Sequence, residues 1–456
     1  MEFDSKAYIG EYIERARKAQ AEFEQFSQEK IDEAVRAIGK VVYDNAEYLA
    51  ELAVKETGMG NVPDKILKNK NKAKMIWNSI KDKKTKGIIE RDEEAGIIKV
   101  AKPMGVVAAI TPMTNPSVTP MGNAMFAVKC GNAIIITPHN KALGISTETV
   151  NMINVELAKL GVPEHLVQIV GVQSRENTKN LISMADIVIA TGGMGMVHAA
   201  YSSGKPALGV GVGNVQCIID TDADIAKAVP EIVRGRSFDN GIICSSEQTV
   251  ICHKDQLEEV LSAFEKNQGY VIRNKEETEA LRDSVFMDGA MSKHAIGQSA
   301  KVVADRANLS VPGDTKVLVA IADGVGAADI LSKEKMCPVL SVYTYDKFKE
   351  AVDIAIQNLE VEGKGHSVSI HSNNQKHIEY VGEKVCVSRI VVNQCSAINA
   401  GGSLYNGLAP TNTLGCGSWG NNSISENLDY KHLMNISRIA YYMKDKYIPT
   451  DEEIWG

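Results

Sequence analysis

The chain has 456 residues, 44% hydrophobic and 23% charged, an ordinary globular composition spread over too great a length for one core, so more than one domain is expected. Lysine and arginine total 50 against 57 aspartate and glutamate, and the net charge of −7 argues against a nucleic-acid surface. No run approaches the ~20 apolar residues needed to span a membrane, and MEFDSKAYIG lacks the apolar centre of a secretory signal.

Residues 5–57 read as a pair of amphipathic helices broken near Phe26–Ser27, with Ser27 as an N-cap. The basic runs KILKNKNKAK (65–74) and KDKKTK (81–86) read as a solvated helix face and a turn rather than a polyanion site. TKGIIERDEEAGIIKVAKP (85–103) sets two β-type runs about an acidic turn, a hairpin signature. From 105 the rhythm changes: VVAAIT (106–111), AIIIT (133–137), VQIVG (167–171) and IVIAT (187–191) are short apolar strands, each followed by a helical stretch. Such alternation predicts a parallel sheet covered on both faces. Ligands of such sheets gather at the carboxyl ends of the strands, where TPMTNP, TPHNKA and TGGMG lie. A second α/β series begins near 228, with strands predicted in QTVICH (248–253), KVLVAIA (316–322), CPVLSVYTY (337–345), SVSIHS (367–372) and RIVVNQ (389–394). The last stretch, from Asn422, predicts a helix and then an extended tail that packs on another subunit.

The eight cysteines form no CxxC pair, and the nine histidines show no HExxH or other zinc spacing, so a reduced, cytoplasmic protein without a metal is expected. Cys244, in FDNGIICSSEQ, is the one cysteine in a segment that reads as an exposed, tightly turned loop. A thiol serves as nucleophile only as thiolate and where a substrate reaches it; the alternative is a buried structural cysteine. Asn115, in TPMTNP, stands at a strand's carboxyl end, where a side-chain amide can donate to an oxyanion; an Asn before Pro is also an ordinary turn. TGGMGMV (191–197) follows a strand and opens a helix, so Gly192, Gly193 and Gly195 either admit a pyrophosphate or make a tight turn. GVGVGN (209–214), with Gly211, offers a close backbone approach of the same ambiguous kind. His366, in GKGHSVSIHS, is a candidate proton donor or thiol base, or a hydrogen-bonded structural histidine.

Taken in order and spacing, TPMTNP, TPHN, ATGGMGMV, AYSSGKPALGVGVGN, FDNGIICSSEQ, KEKMCPV and LGCGSWGNNSISEN resemble the aldehyde dehydrogenase superfamily over essentially the whole chain. Within it, they resemble the CoA-acylating branch. The resemblance implies an α/β fold with a Rossmann-type cofactor domain over 1–227, whose 85–103 hairpin belongs to oligomerisation, and an α/β catalytic domain over 228–424. A C-terminal helix and oligomerisation tail would occupy 425–456, giving a homodimer or a dimer of dimers. It implies Cys244 as nucleophile, Asn115 as oxyanion donor and Glu334 on the nicotinamide ribose. His139, Asn140 and Lys141 would border the adenosine site and Gly192, Gly193 and Gly195 the pyrophosphate, with Thr111, Thr137, Thr191 and Gly211 completing the cofactor-binding set.

One departure bears on the reaction. Hydrolytic members carry a Glu in an ELGGK segment, whereas the matching GVGVGN has no carboxylate. General-base help is typically worth about 10²–10⁴-fold, while a thiol of pKa about 8.5 needs less help than water does. Coenzyme A is therefore the expected acyl acceptor; a hydrolytic dehydrogenase and a catalytically idle member are the rivals. KVVYDNAEYLAELAVKETGMG, IWNSIKDKKT and SRIVVNQ look most like the members that act on succinate semialdehyde, with acetaldehyde, butyraldehyde or sulfoacetaldehyde as alternatives. An ω-carboxylate needs a cation or several donors in place of water, and Arg389, Ser246 and Ser396 are the candidates. Where other members set a Glu against the ribose 2′ position, Asn140 and Lys141 stand here, so NADP is expected, with NAD as the alternative. Neither the N-terminal targeting helix of some relatives nor the fused alcohol dehydrogenase of others is expected.

Overall fold

The computed structural model describes residues 3–456. It opens with four helices, α1 (Ser5–Phe23), α2 (Gln28–Asp44), α3 (Ala46–Thr57) and α4 (Val62–Ile80), and a later helix, α5 (Val118–Lys129), packs among them. Ser27 caps α2 as expected, its hydroxyl accepting from the Lys30 N–H. The stretch 5–57 holds three helices rather than two, because Asn45 turns back on the end of α2, its side-chain amide donating to Val41 O at 2.8 Å. The apolar face of α2, with Ile31, Val35, Ile38 and Val42 at helical spacing, closes over the first core.

The strands are β1 (Gly87–Asp92), β2 (Ile97–Pro103), β3 (Val106–Thr111), β4 (Ala133–Pro138), β5 (Val167–Ile169), β6 (Ile187–Ala190), β7 (Ala207–Gly209) and β8 (Val215–Ile219). They continue with β9 (Glu247–His253), β10 (Gly269–Ile272), β11 (Phe286–Met287), β12 (Ala290–Met291), β13 (Val317–Ile321), β14 (Val339–Tyr345), β15 (Gly365–His371), β16 (Val387–Val392) and β17 (Met434–Ala440). A five-stranded parallel sheet has the order β5-β4-β3-β6-β7. Every residue of β3 and β4 is buried, which is why both read as unbroken apolar runs. A seven-stranded parallel sheet follows the order β10-β13-β14-β9-β8-β15-β16, with separate apolar clusters about Phe264 and about Leu359.

The domain limits differ from the expected ones. β8 lies before residue 227, yet it pairs with β9 and β15 inside the seven-stranded sheet, so the division falls between Gly209 and Val215. The 85–103 hairpin is present as β1 and β2, and a third strand joins it: β17 pairs antiparallel with β2 from Met434↔Pro103 to Ala440↔Ile97. The expected C-terminal helix is therefore mostly a strand, followed by extended chain and a short helix over Asp451–Trp455. Leu428, Leu433 and Met434 belong to the core of the first domain. Among the described residues, no helix is long and apolar enough to cross a membrane, and no cluster of side chains is suited to hold a metal ion.

Candidate active site

Asn115 sits in the loop between β3 and α5, at the carboxyl edge of the five-stranded sheet. The loop is fixed from α4: Ser117 Oγ donates to Asn69 Oδ1 at 2.8 Å, and Lys68 Nζ donates to Asn115 Oδ1 at 2.8 Å. The Asn115 amide nitrogen has one longer partner, Thr114 Oγ1 at 3.3 Å. The run 65–74 is thus not the solvated face expected of it. Lys65 and Lys68 are buried and both bind the Asp239 carboxylate, while Lys70 and Lys74 on the same helix remain exposed.

Cys244 lies just before β9, at the amino edge of the seven-stranded sheet. Its loop begins with Asp239, Asn240 and Gly241, all with positive φ (50°, 53° and 72°); Asp and Asn tolerate this conformation better than most residues. Arg236, fully buried, fills the hollow inside the turn. It donates to Ser246 Oγ (3.1 Å), Glu247 O (3.0 Å) and Cys337 O (3.0 Å), and also to Lys335 O. Gly213 backs the nucleophile: a Cβ there would fall 1.8 Å from the Cys244 carbonyl oxygen. In GVGVGN, therefore, the close approach at Gly213 is to the cysteine loop itself. Gly211, likewise, faces Cys416 Sγ, 3.3 Å from where its Cβ would stand.

Cys244 and Asn115 share one cavity that opens to solvent. Lys68, Lys72, Arg234 and Ser245 also line it, and none of the described lining side chains is a carboxylate. Lys72 Nζ donates to Gly401 O at 2.8 Å, and burial brings its pKa down to about 8. Sequence reasoning missed Lys72 and Arg234. Helical spacing from the buried Lys65 and Lys68 could have pointed to Lys72, since positions three or four apart share a face.

The thiol of Cys244 is half-buried rather than exposed; the exposed cysteine is Cys386. Burial raises the Cys244 pKa to about 12, helped by Glu334 and Cys416 and opposed by Arg389. Glu334 is itself pushed up to about 8 by burial and by Glu362, against a hydrogen bond from Gly213 N–H. The resting site therefore holds a neutral thiol beside a largely protonated carboxyl at pH 7.

His366 opens β15, on the same amino edge as Cys244. Its Nδ1 bonds Ser367 Oγ at 3.0 Å, its Nε2 is buried without a partner among the described residues, and burial holds its pKa well below the usual value.

The three expected carboxylate binders do not line the cavity. Ser246 is fully buried, its Oγ donating to Gly235 O at 2.9 Å and accepting from Arg236; its neighbour Ser245 faces the cavity instead. Arg389 is buried and spends its guanidinium on Ser367 Oγ, Asn427 Oδ1 and the carbonyls of His366 and Gly415. Ser396 is fully buried and gives its backbone N–H to Glu247 Oε1, while Ala397 and Ile398 after it reach the cavity wall. All three brace the site from behind.

The expected cofactor residues gather along the carboxyl edge of the five-stranded sheet, except Glu334 and Gly211, which stand across the cleft beside Cys244 and Cys416. A Cβ at Gly192, Gly193 or Gly195 would meet nothing within 4 Å, so open space lies against this backbone. Thr111 Oγ1 is buried without a partner, whereas Thr137 bonds Gln173 and Thr191 bonds Thr413. His139, Asn140 and Lys141 are exposed at the end of β4. An open glycine backbone beside an unpaired hydroxyl fits a dinucleotide laid along this edge.

The profile of the aldehyde dehydrogenase family matches residues 2–432. The chain is 53% identical to the succinate-semialdehyde dehydrogenase (acetylating) of Clostridium kluyveri, over 98% of this chain and 99% of that protein. Its fold is similar to the crystal structure of an acetylating aldehyde dehydrogenase from Geobacillus thermoglucosidasius, with a TM-score of 0.94, 38% identity and 98% of each chain covered. It is also similar to a propionaldehyde dehydrogenase from Rhodopseudomonas palustris with bound CoA and an acylated cysteine, with a TM-score of 0.83, 28% identity, and 95% of this chain and 97% of that one covered.

The pairing of Cys244 with Glu334 predicts a pH-dependent reactivity. Below pH 7 Glu334 is neutral and does not oppose the thiolate; above pH 8 its charge does. Glu334→Gln should therefore speed alkylation of Cys244 by iodoacetamide at pH 9 by about 3–10-fold, the equivalent of ~0.5–1 pKa unit, and leave it unchanged at pH 6.5. Mass spectrometry of the Cys244 peptide reads the rate, and equal acceleration at both pH values would show that the side chain acts by bulk rather than charge.

Proposed function

This chain belongs to the aldehyde dehydrogenase family, and from that premise we propose that it interconverts succinate semialdehyde, CoA and NAD(P)+ with succinyl-CoA and NAD(P)H. The observation that carries this reading is the composition of the cavity: a thiol, an amide and the cations Lys72 and Arg234, with no carboxylate among its described lining. Relatives named for succinate semialdehyde and for acylation support it.

In the oxidative direction Cys244 gives up its thiol proton to solvent through the open cavity and adds as thiolate to the aldehyde carbon, and the Asn115 amide N–H donates to the oxygen as it gains charge. Collapse of this thiohemiacetal expels a hydride from carbon and leaves a thioester on Cys244. The oxidised nicotinamide, when bound, supplies the hydride acceptor and a positive charge near the thiol. The thiolate of CoA then attacks the thioester, and Cys244 leaves as thiolate. His366 is assigned the CoA proton as the candidate base: Ser367 holds its Nδ1, and its buried Nε2 has no partner among the described residues. Water lacks such help, because no carboxylate faces the acyl group from the cavity.

Lys72 replaces Arg389 as anchor of the ω-carboxylate, with Arg234 at the mouth. An ammonium already stripped of water gains more from an anion than a solvated one does. Thr111, Gly192, Gly193 and Gly195 would hold the cofactor, and Glu334 its nicotinamide ribose. Asn140 and Lys141, free of like charge, accept the 2′-phosphate of NADP while leaving NAD usable. The eight free cysteines fit a reducing, cytoplasmic setting.

With succinate semialdehyde and NADP, steady NADPH formation should require CoA; without CoA it should stop after about one equivalent per Cys244, the burst expected of an accumulating acyl-enzyme. Equal steady rates without CoA would make the enzyme hydrolytic. Lys72→Met should lower kcat/KM for succinate semialdehyde by about 10–100-fold, as for loss of a charge-assisted bond, and spare butyraldehyde. Equal losses on both aldehydes would remove Lys72 from the anchor.

The assembly is proposed to be a homodimer or a dimer of dimers, formed through the β1–β2–β17 sheet and the tail. Tyr442, Ile448 and Trp455 are 92%, 83% and 83% exposed in the single chain, apolar surface that a second subunit would cover. Deleting residues from Ile448 onward should shift sedimentation towards a smaller species; an unchanged sedimentation coefficient would place the interface elsewhere.

A further inference from the structure

We propose that Lys68 is the positioning residue of the oxyanion site: it fixes which end of the Asn115 amide faces the substrate and ties that amide to the loop carrying Cys244. The proposal rests on the reading of Asn115 as oxyanion donor given above.

An asparagine side chain can turn either its oxygen or its nitrogen towards a cavity, and only the nitrogen stabilises an alkoxide. Lys68 removes the choice. An ammonium has donors and no acceptor, so the atom 2.8 Å from Lys68 Nζ has to be Oδ1. Nδ2 then points the other way. Its single described partner, Thr114 Oγ1, engages one of two N–H bonds at 3.3 Å, and the second is left for the cavity that Asn115 shares with Cys244.

Lys68 is in turn held in place. It is buried, and its ammonium binds Asp239 Oδ2, which Lys65 also binds at 3.0 Å. Asp239 Oδ1 accepts from Asn61 N–H at 3.0 Å, and the Asp239 N–H donates to Asp64 Oδ2 at 2.7 Å. Asp239 stands in the same FDNGIIC turn as the nucleophile. The sequence of contacts Asn115–Lys68–Asp239 thus connects the donor on one sheet to the nucleophile on the other.

Charge points the same way. Two ammonium groups meet Asp239 with Asp64 beside it, so the cluster is balanced overall, but the charge in contact with the amide oxygen is the Lys68 ammonium. Donation from Lys68 to Oδ1 draws electron density from the amide and makes Nδ2–H a better donor. If the cluster served only to fasten the domains, Lys65 would suffice as counter-ion to Asp239; Lys68 is the member that also touches Asn115.

The test is a double-mutant cycle in the full-length enzyme, with succinate semialdehyde, NADP and CoA. Asn115→Ala should lower kcat by about 100–1,000-fold, as for loss of an oxyanion donor. Lys68→Met should lower kcat by at least ~10-fold, with KM for aldehyde and NADP within about 3-fold, and the double variant should be no slower than Asn115→Ala alone. Lys68→Arg, which keeps charge and donors, should recover most of the rate. An unchanged kcat in Lys68→Met, or losses that multiply in the double variant, would overturn the proposal while leaving Asn115 as donor. An unchanged kcat in Asn115→Ala would overturn the oxyanion reading and this proposal with it. Lys68→Met leaves the Lys65–Asp239 pair intact; should it fail to fold, Lys68→Gln enters the same cycle and the same outcomes decide.

Discussion

Asp239, buried in the turn before Cys244 and bound by two lysines of α4, is the contact on which the relation between the two sheets turns. The nucleophile belongs to the amino edge of the seven-stranded sheet and the amide to the carboxyl edge of the five-stranded one. Chemistry needs them in register to within a fraction of an ångström, and neither sheet constrains the other through strand pairing. A buried ionic contact suits the task because it is short and directional and is lost altogether if one side withdraws. Arg236 does the equivalent work within the second domain, closing the cysteine turn against the carbonyls before β14.

Around this frame, the electrostatics of the site run opposite to those of the whole molecule. The chain is acidic, with a net charge of −7, yet the cavity is lined by Lys68, Lys72 and Arg234. The cavity therefore attracts anions that the remaining surface repels, which favours an acidic substrate in the encounter as well as in the complex. The thiol answers to a different need. With its pKa near 12 it rests as a protonated, poorly reactive group.

Nine of the twelve strands of the two sheets were legible in the sequence, because burial on two faces writes itself as unbroken apolar runs, as in VVAAIT and AIIIT, while β7, β8 and β10 went unread. β17 was not, since Met434–Ala440 is largely exposed in the single chain and its partner lies over three hundred residues away. Lys65 and Lys68 read as solvent-facing because spacing on a helix says nothing of a carboxylate supplied by a distant turn. Cys244 and Asn115 were found from their motifs, and they do line one cavity. Ser246 was chosen over Ser245 although the two point to opposite sides of the loop, a distinction that only the placement of Arg236 decides. Asn115 follows β3 at the carboxyl edge of the first sheet, whereas Cys244 and Gly213 precede their strands in the second and His366 lies at the start of its own.

The last part of the chain bears on how the protein is made. Leu428, Leu433 and Met434 complete the apolar interior that the first two hundred residues begin. Asn132 donates to Leu433 O at 2.7 Å, and Cys130 Sγ to Tyr430 O at 3.1 Å. A nascent amino-terminal half emerging from the ribosome therefore lacks the piece that seals it and must wait, partly open, while the other domain is synthesised and folds. Contacts this distant in sequence slow the final step and lengthen the interval of exposed apolar surface. Closure of the first domain therefore waits on residues 428–434, which arrive after the whole second domain.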